Sequence, residues 1–138
     1  MNDMTDVPVA PDLLDGMTQL VADLRRLRPV IENALPYTHR THEFDDIVAI
    51  VLTGKVRMWS TAGSFLIVER VAYPRKTHYH IFLAGGDLDE LRGLHDEVTA
   101  AAKADGADAL TLTGRPGWAR ALVKWGWQPV YTTLMREI

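Results

Sequence analysis

The sequence predicts one α+β or α/β domain built on a mixed sheet, in the order α-α-β-β-β-α-β-α-β with helices on both faces. Three observations predict it. Two amphipathic helical stretches come first. Three strand patterns then follow between residues 56 and 84, separated by turns of a few residues, which argues for an antiparallel meander. Last, residues 81–127 read as strand, glycine turn, capped helix, strand and short helix. A helix crossing between two such strands makes them a parallel pair.

Each element has its own signals. Residues 1–11 read as a loose arm, bracketed by Pro8 and Pro11, and residues 12–138 as a single domain. Asp12 is a candidate cap for a helix with the stripe Leu13, Met17, Leu20, Val21, Leu24, Leu27 and Ile31. Asp15, Asp23, Arg25 and Arg26 lie opposite. Pro29 is expected to kink or split this helix, and Pro36 to end it. Thr41 is the expected N-cap of a second helix, with Phe44, Ile47, Val48, Val51 and Leu52 buried and Gly54 as its stop. The β-branched residues there also allow a strand over 47–52, but caps at both ends favour a helix.

The meander comprises Val56–Ser60, Ser64–Ala72 and Thr77–Ala84. In the last strand His78, His80 and Phe82 are expected on one face, and Tyr79, Ile81 and Leu83 on the other. Asp87 and Glu90 have capping-box spacing for a helix with the stripe Leu88, Leu91, Leu94, Val98, Ala101 and Ala102. Gly106 stops it. Ala109–Thr113 reads as a short buried strand. Pro116 opens a last helix with Trp118, Ala121, Leu122 and Trp125 on one face, Gly126 ends it, and Val130–Met135 reads as a final strand.

Composition narrows the function classes. The absence of cysteine excludes disulfides, thiolate metal sites and a cysteine nucleophile. A net charge of -3 gives no sign of a nucleic-acid or membrane surface, and no direct nucleic-acid binding is expected. No apolar run approaches the roughly 18 residues that span a bilayer.

Two motifs carry a resemblance. They are Leu83-Ala84-Gly85-Gly86-Asp87-Leu88-Asp89-Glu90 and Gly114-Arg115-Pro116-Gly117-Trp118-Ala119-Arg120-Ala121-Leu122, the second closing in Trp125-Gly126-Trp127. With the element order, they make the chain resemble the GNAT acetyltransferase fold over roughly residues 12–138, without the first strand of a typical member. At the residue level it is most similar to the small GNAT-like proteins of tailed phages and prophages. The resemblance implies a GNAT-like mixed sheet and, in working members, coenzyme A pyrophosphate on backbone amides at a helix start. Here that place is formed by Leu83, Gly85, Gly86, Asp87 and Leu88, with Arg115 nearby as a cation.

The motifs also depart from the family pattern. The family loop typically reads Arg/Gln-x-x-Gly-x-Gly/Ala. In this chain the turn is shorter, and no Arg or Lys lies between Lys76 and Arg92. Asp87 brings a negative charge to the phosphate position and competes for the same amides. The family tyrosine that reprotonates the thiolate falls on Leu122, which transfers no proton. If the chain is active, Glu69 is the candidate base and Tyr131 the candidate acid, with His78 or His80 as other bases.

The spacing of His78 and His80 suits zinc, but no third ligand is near in sequence, so no metal is expected. Trp118, Arg120 and Trp127 are candidate interface residues, since tryptophan beside arginine is a frequent hot-spot composition. For Trp118 and Trp125 the simpler reading is core.

Two functions therefore stand. One is a non-catalytic virion component without a cofactor, structural, adaptor or ejection-associated. It would contact other virion proteins, in a ring or homo-oligomer, and reside in the virion or host cytoplasm. The other is an N-acetyltransferase using acetyl-CoA on a small or protein amine.

Overall fold

The computed structural model describes residues 11–138, with side chains from Leu14 onward. Residues 1–10 of the expected arm, and the side chain of the Asp12 cap, lie outside the described residues. The elements are α1 (Pro11–Ala34), a 3-10 turn (Leu35–Thr38), α2 (Phe44–Leu52), β1 (Arg57–Ser60), β2 (Phe65–Ala72), β3 (Thr77–Gly85), α3 (Leu88–Ala104), β4 (Ala109–Leu112) and α4 (Gly117–Val123). The fold is mixed α/β.

Helix α1 passes through Pro29 unbroken, against the expected split. Pro29 is exposed, so the carbonyl it leaves without a donor faces water. Of the expected stripe, Leu24, Leu27 and Ile31 are buried, whereas Met17 is exposed. Arg26, opposite the stripe, is exposed and also makes a tertiary contact. Its guanidinium donates to the carbonyl oxygens of Thr61 and Ala62, each at 2.9 Å, and ties the helix to the β1–β2 turn.

Helix α2 forms, and the competing strand does not. Its cap is Glu43, two residues later than the expected Thr41. The Glu43 amide donates to the Asp46 carboxylate at 2.8 Å, while Thr41 Oγ1 donates to the Thr38 carbonyl.

The sheet has strand order β1-β2-β3-β4 among the described residues. β1–β2 and β2–β3 are antiparallel, and β3–β4 is the parallel pair made by the α3 crossover, as expected. The chain differs from the expectation at two points in this sheet.

The first is a bulge. Ile67 pairs with Leu83 and Val68 with Ile81, leaving Phe82 as the extra residue. One inserted residue reverses the alternation beyond it. Tyr79 and Ile81 face α3, but Leu83 joins Phe65 and Ile67 on the opposite face. The expected common face of Tyr79, Ile81 and Leu83 is thereby corrected.

The second is the final strand. Residues 124–138 hold no helix or strand, so Val130–Met135 is not in the sheet. The order becomes α-α-β-β-β-α-β-α.

Two cores sandwich the sheet. α1 and α2 cover Phe65, Ile67 and Leu83 with Leu24, Leu27, Ile31, Ile47 and Val51. α3 covers Leu66, Val68, Tyr79 and Ile81 with Leu91, Leu94, Val98 and Ala102. Leu88, expected in that stripe, is exposed at the first helical position.

Tyr79 also anchors the far end of α3. Its hydroxyl donates to Asp105 at 2.9 Å, and Arg70 donates to the same carboxylate oxygen at 2.6 Å. These two donors hold the Asp105 carboxyl below its ordinary value, Arg70 first.

Ile67 is fully buried at the centre of the first core. Ile67→Ala should cost about 2–5 kcal/mol by cavity formation, read as a lower urea midpoint at unchanged m-value.

Candidate functional site

β4 stops pairing at the Ile81–Leu112 position, while β3 runs on to Gly85. The β3 edge facing β4 is therefore unpaired from Phe82 onward, and the strands part into a cleft of about 290 Å³. Val30, Asn33 and Tyr37 form one wall, Leu83 to Gly86 the floor, and Thr113 to Arg115 with Trp118 the other wall. A free strand edge offers amides and carbonyls to an extended ligand, and Arg115 supplies a positive charge at the rim. Arg115 Nη1 donates to the Tyr37 hydroxyl at 3.2 Å, and its guanidinium lies 5.0 Å from that ring's centroid.

The floor ends at the start of α3, where Asp87 caps as expected. Its Oδ1 accepts from the amides of Asp89 and Glu90, at 3.0 and 3.1 Å. The return half of the capping box is replaced by a relay. The Asp87 amide donates to Ser64 Oγ at 2.9 Å, and Ser64 Oγ donates to Glu90 Oε1 at 2.9 Å. Ser64 is the buried polar residue at this junction, fully enclosed.

The glycines answer to the same packing. A Cβ on Gly86, whose φ is +121°, would lie 2.2 Å from Ser64 Oγ. A Cβ on Gly85 would lie 2.9 Å from the Phe65 ring and 3.2 Å from Val30. Close packing of β2 and α1 accounts for both glycines with no ligand present.

The expected cofactor residues are thus brought only partly together. Leu83, Gly85, Gly86 and Arg115 line the cleft, whereas Asp87 and Leu88 do not. Neither expected catalytic residue lines it. Glu69 pairs with His80 across β2 and β3, and Tyr131 is 80% exposed beyond α4. Leu122, standing where the family tyrosine falls, is buried.

His80 comes closer. Its Nδ1 lies 2.8 Å from Thr111 Oγ1 and its Nε2 3.4 Å from Thr113 Oγ1, the latter a cleft residue. Burial holds this imidazole below its ordinary 6.5, against an opposing pull from Glu69. His78 stacks edge-on with Tyr73. Among the described residues, no three His, Cys, Asp or Glu side chains group to hold a metal ion.

Of the expected interface residues, Trp118 and Trp127 are half-buried against the α3 core. Trp127 Nε1 donates to His95 Nε2 at 2.9 Å. Arg120 is exposed. Asn33, Tyr37 and Thr113 escaped the sequence reading because they reach the cleft from distant segments. Ser64 carried one signal, its place directly before an apolar strand in a glycine turn.

Comparison with known proteins bears on the fold alone. No family model and no curated protein matches the chain. Among solved structures, TTHA1254 from Thermus thermophilus is similar, at 19% identity over 85% of this chain and 91% of that one. The TM-score is 0.59 for the wild type and 0.61 for a single-substitution variant. No helix among the described residues is long and apolar enough to cross a membrane.

Ser64→Ala should cost about 1–3 kcal/mol, since it removes the acceptor of a junction amide and the donor to Glu90. Thermal and urea unfolding would measure it. His80 should also give a pH signature. Its folded value is lowered, so the unfolded chain takes up the proton first as pH falls below 6.5. Stability should decline over that window, and His80→Gln should flatten the decline in a series of urea midpoints.

Proposed function

We propose that this chain is a GNAT-fold protein of the small phage-encoded kind, with a coenzyme cleft that has lost acetyl transfer. It acts by contact with other proteins as a structural, adaptor or ejection-associated component of a virion. The observation that carries the reading is the occupation of three amides at the α3 start. The amides of Asp87, Asp89 and Glu90 already donate to Ser64 Oγ and the Asp87 carboxylate. A pyrophosphate would have to displace a capping carboxylate and lie beside its charge, which opposes anion binding at a helix start.

The chemistry around the cleft supports the same reading. Leu122 offers no proton, Tyr131 stands in solvent, and Glu69 is not a lining residue. With these groups the residues present do not fit an acetyl-CoA-dependent mechanism, and no step is derived through that coenzyme. The resemblance of residues 83–90 and 114–127 to phage-encoded proteins supplies the virion setting.

A second reading, the acetyltransferase, is favoured by one observation. The free β3 edge from Phe82 to Gly85, with Arg115 at the rim, is the kind of cleft that takes an extended amide-bearing ligand.

Titration calorimetry with acetyl-CoA up to about millimolar separates the two. The proposal expects no binding heat from protein that unfolds cooperatively. Micromolar binding that weakens on Arg115→Ala would overturn the loss of the coenzyme site and favour the second reading, which an acceptor screen would then test.

A further inference from the structure

Residues 128–138 read Gln-Pro-Val-Tyr-Thr-Thr-Leu-Met-Arg-Glu-Ile, a β-branched and aromatic stretch of strand composition. Yet Val130 is 71% exposed, Leu134 91% and Met135 63%. Among the described residues, no hydrogen bond or ion pair involves this segment. It leaves the domain at Trp127, whose indole is held by His95 on α3.

The same chain carries an unmet edge of matching kind. β4 closes one side of the sheet, and its outer edge has no strand partner among the described residues. Leu110 and Leu112 on β4 are only half-buried against the α3 core, and Thr111 is half-buried on the opposite face. An edge strand with free amides and carbonyls templates another strand.

We propose that residues 128–138 form the fifth strand of a second copy of this chain, laid along that copy's β4 edge, with the exchange reciprocated. A two-fold arrangement meets both needs of both copies at once, which is the logic of an isologous strand exchange. Alternation along the strand sends Val130, Thr132 and Leu134 to one sheet face and Tyr131, Thr133 and Met135 to the other. Each face of β4 thereby gains apolar cover. The segment's charges, Arg136 and Glu137, are of opposite sign and fall at its end. The inference is independent of whether the cleft binds a coenzyme.

Light scattering on the full chain should give twice the 15.5 kDa chain mass. A Thr133→Pro, Leu134→Pro double variant, which must remove a ladder amide because adjacent amides alternate between the partner edge and solvent, should give a folded monomer. Because the chain has no cysteine, introduced thiols report alone. Oxidising a variant that carries both Ala109→Cys and Thr132→Cys should yield a covalent dimer on a non-reducing gel. A full chain that is monomeric at about 100 micromolar would overturn the proposal. So would a cooperatively folded dimer of the double proline variant, or thiols that join only within one chain.

Discussion

The hydroxyl of Ser64 is the constraint on which the central geometry depends. It stands at the entry to β2 and touches the start of α3, accepting from Asp87 and donating to Glu90. That one buried atom sets how closely the helix approaches the sheet, and it forces Gly86 to be glycine. It also decides the electrostatics. A helix start ordinarily presents free amides and a partial positive charge. Here the amides of Asp87, Asp89 and Glu90 are spent within the protein.

From that junction the sheet splays. The bulge at Phe82 and the early end of β4 together open the cleft, one by reversing the side-chain faces and the other by leaving the β3 edge unpaired. The opening is thus a property of backbone register. Its chemical lining comes from afar: Asn33 and Tyr37 from the end of α1 and its following turn, Arg115 and Thr113 from the β4–α4 connection. His80, beside the cleft, is lowered in pKa by burial and lies against Thr111 and Thr113, while Glu69, paired with it across the strands, does not line the opening.

Trp118 and Trp127, the candidates for a binding face, are half-buried and pack against the α3 core, and Trp127 is further tied down by His95. The run from Val130 to Met135 is apolar surface left without cover, with the composition of a strand and no strand partner among the described residues.

The sequence alone determined the elements that depend on neighbours a few residues away. Caps, glycine stops and periodicity located α2, α3, α4 and the four strands, because those signals act through local hydrogen bonds and a fixed repeat. It also identified Asp87 as a cap. Only the tertiary structure decided the features that depend on distant partners. The bulge at Phe82 arises from β2 pairing and has no local mark. The continuity of α1 through Pro29 follows from docking of its buried stripe, which outweighs one lost hydrogen bond. The insertion of Ser64 into the α3 cap joins positions far apart in sequence. The last strand failed for the same reason: Val130–Met135 has the right pattern, but a strand exists only where a second edge meets it.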